Sequence, residues 1–233
     1  DFGTTQEYLV YKHLAIDFTH STILIGFLPF NDFENDDKSF WADKNRYKPF
    51  FVKSDSGYHL EYDKDSMEKS ELNKKFYKSA SNSFKQTAAR FLRGYSYWFN
   101  IVDYIKNKES QNSFFSFKAK KIVSHYYEYN QDQLDKLKFV LTQLREIAPD
   151  KKIIFCSVPV IPDLMRRATD GEPGLPSELK KICEPLGIIY IDLLPEFFKL
   201  KKYRNYFFFC DSHWNEKAHK YAAGVLEPYF EGK

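Results

Sequence analysis

Apolar positions along this chain follow two rhythms. Three short runs, 21–27 (STILIGF), 151–160 (KKIIFCSVPV) and 187–192 (GIIYID), are apolar at nearly every position. Such runs suit strands of a parallel sheet that are buried on both faces. Elsewhere the period is helical. The segment 132–147 places Leu134, Leu137, Val140, Leu141 and Leu144 on one face and reads as the clearest helix. A helix is also expected over 4–16, amphipathic and capped by Thr4 or Thr5. Another covers 177–186, with Pro176 and Ser177 near its start and Gly187 ending it. The last runs from about 216 to 229, capped by Asn215, with Ala218, Ala222, Val225 and Leu226 on one face. The stretch 48–62 alternates and turns at 54–57, which predicts a β-hairpin. Residues 69–108 read as mostly helical, with a break near Gly94, and 112–129 carry no clear period. The segments 28–40 (LPFNDFENDDKSF) and 163–174 read as loops full of turn formers. Helices alternating with strands predict an α/β fold with a parallel sheet and right-handed crossovers.

A chain of 233 residues can bury one sizeable core, so a single domain, 1–233, is the expectation, with 43–129 a hairpin and helical insertion within it. No apolar run reaches membrane-spanning length. The net charge is only +3 and both signs are spread along the chain, which argues against nucleic acid as a partner. Abundant Phe and Tyr read as core filling. The three cysteines, Cys156, Cys183 and Cys210, have neither the number nor the spacing of a disulfide framework or zinc site, and read as buried thiols.

Candidate chemistry gathers where the sheet should end. Ligands of open parallel sheets collect beyond the carboxyl ends of the strands. The first such loop carries Asn31 and Asp32, and the second carries SVPVIP, 157–162. Before the last helix, FFFCDSHWNEKAHKYAAGVL places Asp211 two residues ahead of His213. An Asp so placed can accept a hydrogen bond from the imidazole, fixing its tautomer and favouring its protonated form. Trp214 beside His213 is a candidate substrate contact or a packing residue. Asp32 is a candidate contact too, or the residue that orients the Asn31 loop. His13, His20, His59 and His125 lack an acidic or Cys partner at convincing spacing and read as surface or structural.

These blocks resemble the SGNH hydrolases, the GDSL-type esterase and lipase superfamily. ILIGFLPFND is similar to the family's third block, a buried strand followed by an Asn-Asp pair. DSHWNEKAHKYAA is similar to the last, a catalytic Asp and His followed by a helix, with Ala218 where a Gly is usual before His219. DFGTTQEYLVYK is similar to the segment after the second block. The resemblance covers both ends of the chain and is weakest between Asp43 and Tyr129. It implies a flavodoxin-like three-layer α/β/α parallel sheet, of which this chain carries the later strands. It also implies that His213 is the general base, that Asp211 orients it, and that Asn31 donates its side-chain amide to an oxyanion. A Gly backbone N–H would be the second donor, with Gly3 as candidate. The reaction implied is hydrolysis of O-acyl esters, on carbohydrates or similar polar small molecules, by serine acyl transfer without a cofactor.

The chain departs from the pattern in lacking the G-D-S turn that carries the nucleophile. SDSG at 54–57 sits in the expected hairpin turn, and Ser157 ends the wrong strand. The expectation is that the first strands and their Ser lie upstream of Asp1. This chain alone should then be inactive and poorly soluble, because the 22–27 strand would show a bare apolar edge. The alternative is a binding or scaffolding module of the same fold without a nucleophile. A metal site from Asp211, His213 and His219 is a third reading, with too few ligands to be preferred. The compartment, cytoplasm or bacterial envelope, and the oligomeric state are left open.

Overall fold

The computed structural model describes residues 2–41, 48–55, 57–62, 123–208 and 213–230. The chain divides into two compact units. All described residues belong to the first, made of 1–43, 48–62 and 123–233. The helical expectation over 69–108, and with it most of the insertion, lies outside the described residues.

Three strands, β1 (Thr22–Phe27), β4 (Lys152–Ser157) and β5 (Ile189–Asp192), form a parallel sheet in the order β1-β4-β5. Thr22 faces Lys152, and Phe27 faces Ser157. The apolar run of β4 serves two cores, whereas β1, expected to be buried on both faces, feeds only the first and leaves Leu24 exposed on the other. Ile25 and Phe27 join Ile153 and Phe155 in one cluster, while Ile154, Cys156 and Ile191 join the other. Adjacent residues of a strand point to opposite faces, so this split is the strand period read out in packing.

The first face is covered by α1 (Thr4–His13), α4 (Gln131–Ile147) and α6 (Leu175–Cys183), the second by α5 (Ile161–Asp170), α7 (Leu194–Phe198) and α8 (Glu216–Leu226). Helix α4 buries the five residues its period singled out and starts with a capping box, in which Asn130 and Gln133 bond each other's backbone N–H. At its other end Arg145 donates to the carbonyls of Ala148, Lys151, Leu186 and Gly187. This ties the end of α4 to the approach of β5. Gly187 ends the preceding 3₁₀ turn at φ +60, which a side chain would strain. The hairpin is present as β2 (Pro49–Ser54) and β3 (Gly57–Tyr62), with Phe51 packed on Tyr8 and on Phe139 of α4.

Several local readings change. The 28–40 segment is not a loop. It forms α2 (Pro29–Asn35) and α3 (Lys38–Trp41), with Pro29 at the first helical position, where its missing N–H is harmless. The 163–174 loop is mostly helix too. Helix α5 starts earlier, with Pro162 near its start and Asp163 returning to accept from the Val160 N–H at 2.8 Å. At α1, Gly3 rather than Thr4 or Thr5 is the cap, and both threonines are buried in the first turn. That helix carries buried Thr and Gln where an amphipathic face was expected.

Candidate active site at the carboxyl edge of the sheet

The chain leaves β1 at Phe27, whose carbonyl accepts from the Val158 N–H at 2.7 Å. It turns at Leu28 into α2. Asp32 is buried and accepts from the Leu28 N–H at 2.6 Å, so it fixes the turn and is not a surface contact. Burial first, then the nearby Glu7 carboxyl, holds its acid well above the usual carboxylate range. Asn31 lies one residue earlier and is exposed. Its backbone N–H donates to Leu28, while its side-chain amide makes no hydrogen bond to a described residue.

The His213 segment is anchored to the same edge. The Trp214 indole N–H donates to the Pro159 carbonyl, just past β4, at 3.1 Å, and its ring stacks on Phe197 at 4.6 Å. Trp214 is therefore chiefly a packing residue. The Phe208 N–H donates to the His213 carbonyl at 2.7 Å, and the Asn215 N–H to Tyr206 at 3.0 Å. These bonds hold 206–208 against 213–215. Asn215 caps α8 as its sequence predicts, accepting from Lys217 and Ala218. His213 is exposed. Asp211 lies outside the described residues, so its pairing with His213 is not part of the described geometry.

Gly3 does not stand ready for an oxyanion. Its N–H donates to the Gln6 side chain at 2.7 Å within the α1 capping box. Its lack of a side chain has another cause: a Cβ there would lie 2.7 Å from an oxygen of Asp36. Asp36 accepts from the Thr5 N–H at 3.0 Å, and burial pushes its carboxyl up to about 6. Burial, then the Asp36 charge, pushes Glu7 up to about 7. Among the described residues, no group of three or more His, Cys, Asp or Glu side chains is arranged to hold a metal.

Sequence reasoning missed the segment 124–126, which runs along the strand ends. Ser124 donates to Asp163 at 2.5 Å, at the start of α5. His125 lies 3.6 Å from Glu34 of α2 and contacts the Glu128 carbonyl at 2.8 Å. Tyr126 is fully buried and its hydroxyl donates to Asp192 at 3.3 Å. Three consecutive residues thus touch the elements that follow β1 and β4 and the end of β5. Ser157 belongs to this network. Its hydroxyl is fully buried, 2.9 Å from the Tyr190 hydroxyl and 3.0 Å from Asp192, so it is no accessible nucleophile. Burial also pushes the Cys156 and Cys183 thiols up to about 12, which makes them poor nucleophiles. The one signal in the sequence was an acid at the end of a buried strand, at Asp192; the partners come from far along the chain.

Comparison with protein-family models, with curated proteins and with solved structures returns no match. Among the described residues no helix is long and apolar enough to cross a membrane.

Proposed function

We propose that this chain is the later part of an SGNH-type ester hydrolase with a flavodoxin-like three-layer sheet, acting on O-acyl esters of small polar molecules such as carbohydrates. The observation that carries the reading is the bond from Trp214 to Pro159, which ties the His213 segment to the edge from which Asn31 also emerges. In this reading His213 takes the proton from a serine hydroxyl and returns it to the leaving alcohol, and Asp211 stabilises the imidazolium. The Asn31 amide donates to the oxyanion, and losing such a donor costs about 10²–10³ in turnover. The hydroxyl comes from a segment ahead of Asp1, since the serine at the end of β4 is buried and bonded.

That burial of Ser157 also favours the second reading, a binding module of the same fold with no nucleophile. Labelling of the full-length protein by a fluorophosphonate probe separates the two. The esterase reading expects labelling that is lost in His213→Ala and weakened in Asn31→Ala. No labelling of the wild type, in a sample whose thermal unfolding is cooperative, selects the binding module.

A further inference from the structure

Two shallow depressions, of about 600 Å³ and about 320 Å³, meet on the flank of α8. Tyr206 and Lys217 line both, so the two form one groove between α8 and the 3₁₀ turn Tyr203–Tyr206. Lys220 and Gly224, three and seven residues past Lys217, continue the same helix face along it. The groove lies among the elements that follow β5, at the opposite end of the sheet order from β1. The strand that the proposed fold puts ahead of Asp1 therefore does not fill it. The same turn holds the His213 segment. The Asn215 N–H donates to the Tyr206 carbonyl at 3.0 Å, and the Asn215 side chain donates to the Asn205 carbonyl at 2.9 Å.

Four lysines, Lys201, Lys202, Lys217 and Lys220, line the groove, and no acid does. All four are exposed, and none of their ammonium groups has an ion pair among the described residues. By contrast Lys180, Lys181 and Lys199 each hold a carboxylate, the last taking Glu196 of α7 at 2.6 Å. Glu216, at the start of α8, lines neither depression. From Lys199 to Tyr206 the chain adds Arg204 and no acid. Cations gathered along a concave surface reinforce one another's field. Neutral hydrogen-bonding groups stand between them: the side chains of Asn205 and Tyr206 bond no described residue. Gly224 is exposed in the interior of α8, where glycine costs about 1 kcal/mol relative to alanine. A Cβ there would meet nothing within 4 Å, so packing within the chain does not call for it. Its missing side chain keeps the groove open.

We propose that this groove binds a strand of an acidic polysaccharide, and that the acyl ester presented to the His213 segment is carried on that strand. The lysines meet its carboxylates, and Asn205 and Tyr206 meet its hydroxyls. The inference rests on the esterase reading for the ester, and on the groove alone for the binding. A neutral glycan would gain nothing from four ammonium groups. A lipid surface fits less well, because headgroups in a flat layer do not reach into a depression. Single-stranded nucleic acid stacks its bases on open aromatic faces. Here Tyr206 and Tyr221 are half-buried and turned edge-on to each other, with ring centroids 5.9 Å apart.

The test is fluorescence anisotropy of the full-length protein with labelled, ester-free hexagalacturonate. Saturable binding that weakens as salt rises is expected, with none of maltohexaose. Lys202→Gln combined with Lys217→Gln should weaken binding about tenfold or more. Lys180→Gln combined with Lys181→Gln removes the same charge from α6 and should weaken it by less than about twofold. Gly224→Leu fills the groove without altering charge. It should weaken binding about fivefold and leave the thermal midpoint unchanged or raised. Absence of binding, equal loss from the two lysine pairs, or binding indifferent to Gly224→Leu overturns the proposal. So does tighter binding of a thymidine oligonucleotide of equal charge, or of phosphatidylglycerol vesicles, since either assigns the groove to another class of partner. The oligosaccharide carries no ester, so failure to bind it leaves the esterase reading standing. A protein that binds it yet resists the fluorophosphonate loses only that reading.

Discussion

The two ends of the sheet solve the same problem differently. At β5, polar groups have been carried into the interior and three of them, Ser157, Tyr126 and the Leu194 N–H, converge on Asp192, although Nη1 of nearby Arg167 has no partner. At β1, polar groups are buried as well, yet the Thr4 hydroxyl and one Glu7 oxygen have no partner, and the strand's outer edge faces a recess. The lesson is that burial alone does not mark a finished core. Each buried atom left without a hydrogen bond costs about 1–3 kcal/mol, so these atoms mark local losses of stability.

Four measurements can break or sharpen that contrast. The largest effect of a single substitution should come from Ile154→Ala, at a fully buried position facing the second core, which should lower unfolding free energy in urea by about 2–5 kcal/mol. Leu24→Ala at the open edge should cost under about 0.5 kcal/mol. Equal losses would mean that the β1 edge is as well packed as the interior.

Next comes pH. Glu7, Asp36 and Asp163 are pushed up to about 7, 6 and 6 by burial. Each holds a proton in the folded state that the unfolded chain has already released, so stability is full below about pH 4 and falls as pH rises towards 7. The unfolding free energy should therefore decline from pH 5 to 8 by on the order of 5 kcal/mol, and thermal midpoints should fall with it. Glu7→Gln should flatten the upper part of the decline, and Asp163→Asn the lower part. A midpoint that climbs over this range would contradict the assignment.

A smaller pair tests the polar atoms directly. Ser157→Ala should cost about 1–2 kcal/mol because it strips a partner from Asp192 and Tyr190, whereas Thr4→Val removes an unbonded hydroxyl and should be neutral or slightly stabilising. The mildest change, Asn215→Ala, should cost about 1 kcal/mol through the lost α8 cap.

Particular elements show what was readable. The strands at 22–27 and 152–157, the helix at 131–147, the hairpin and the Asn215 cap were all visible, because period and caps are local properties of neighbouring residues. Helices α2 and α5 were passed over because Asp, Asn and Gly content outweighed a Pro at the helix start, followed by an acid that reaches back to the first turn. The Gly3 assignment failed because the need for glycine there arises from Asp36, which lies far along the chain.

The sequence by itself determined the α/β class, the parallel character of the sheet and the positions of helix α4 and the Asn215 cap, since hydrophobic period and capping chemistry act over a few residues. Only the tertiary structure decided which polar groups meet. The alignment of Ser124, His125 and Tyr126 along three strand-end segments, the sealing of Ser157, and the unpartnered atoms beneath β1 depend on contacts between distant residues. Those contacts are set by how the layers pack, and no local pattern encodes them.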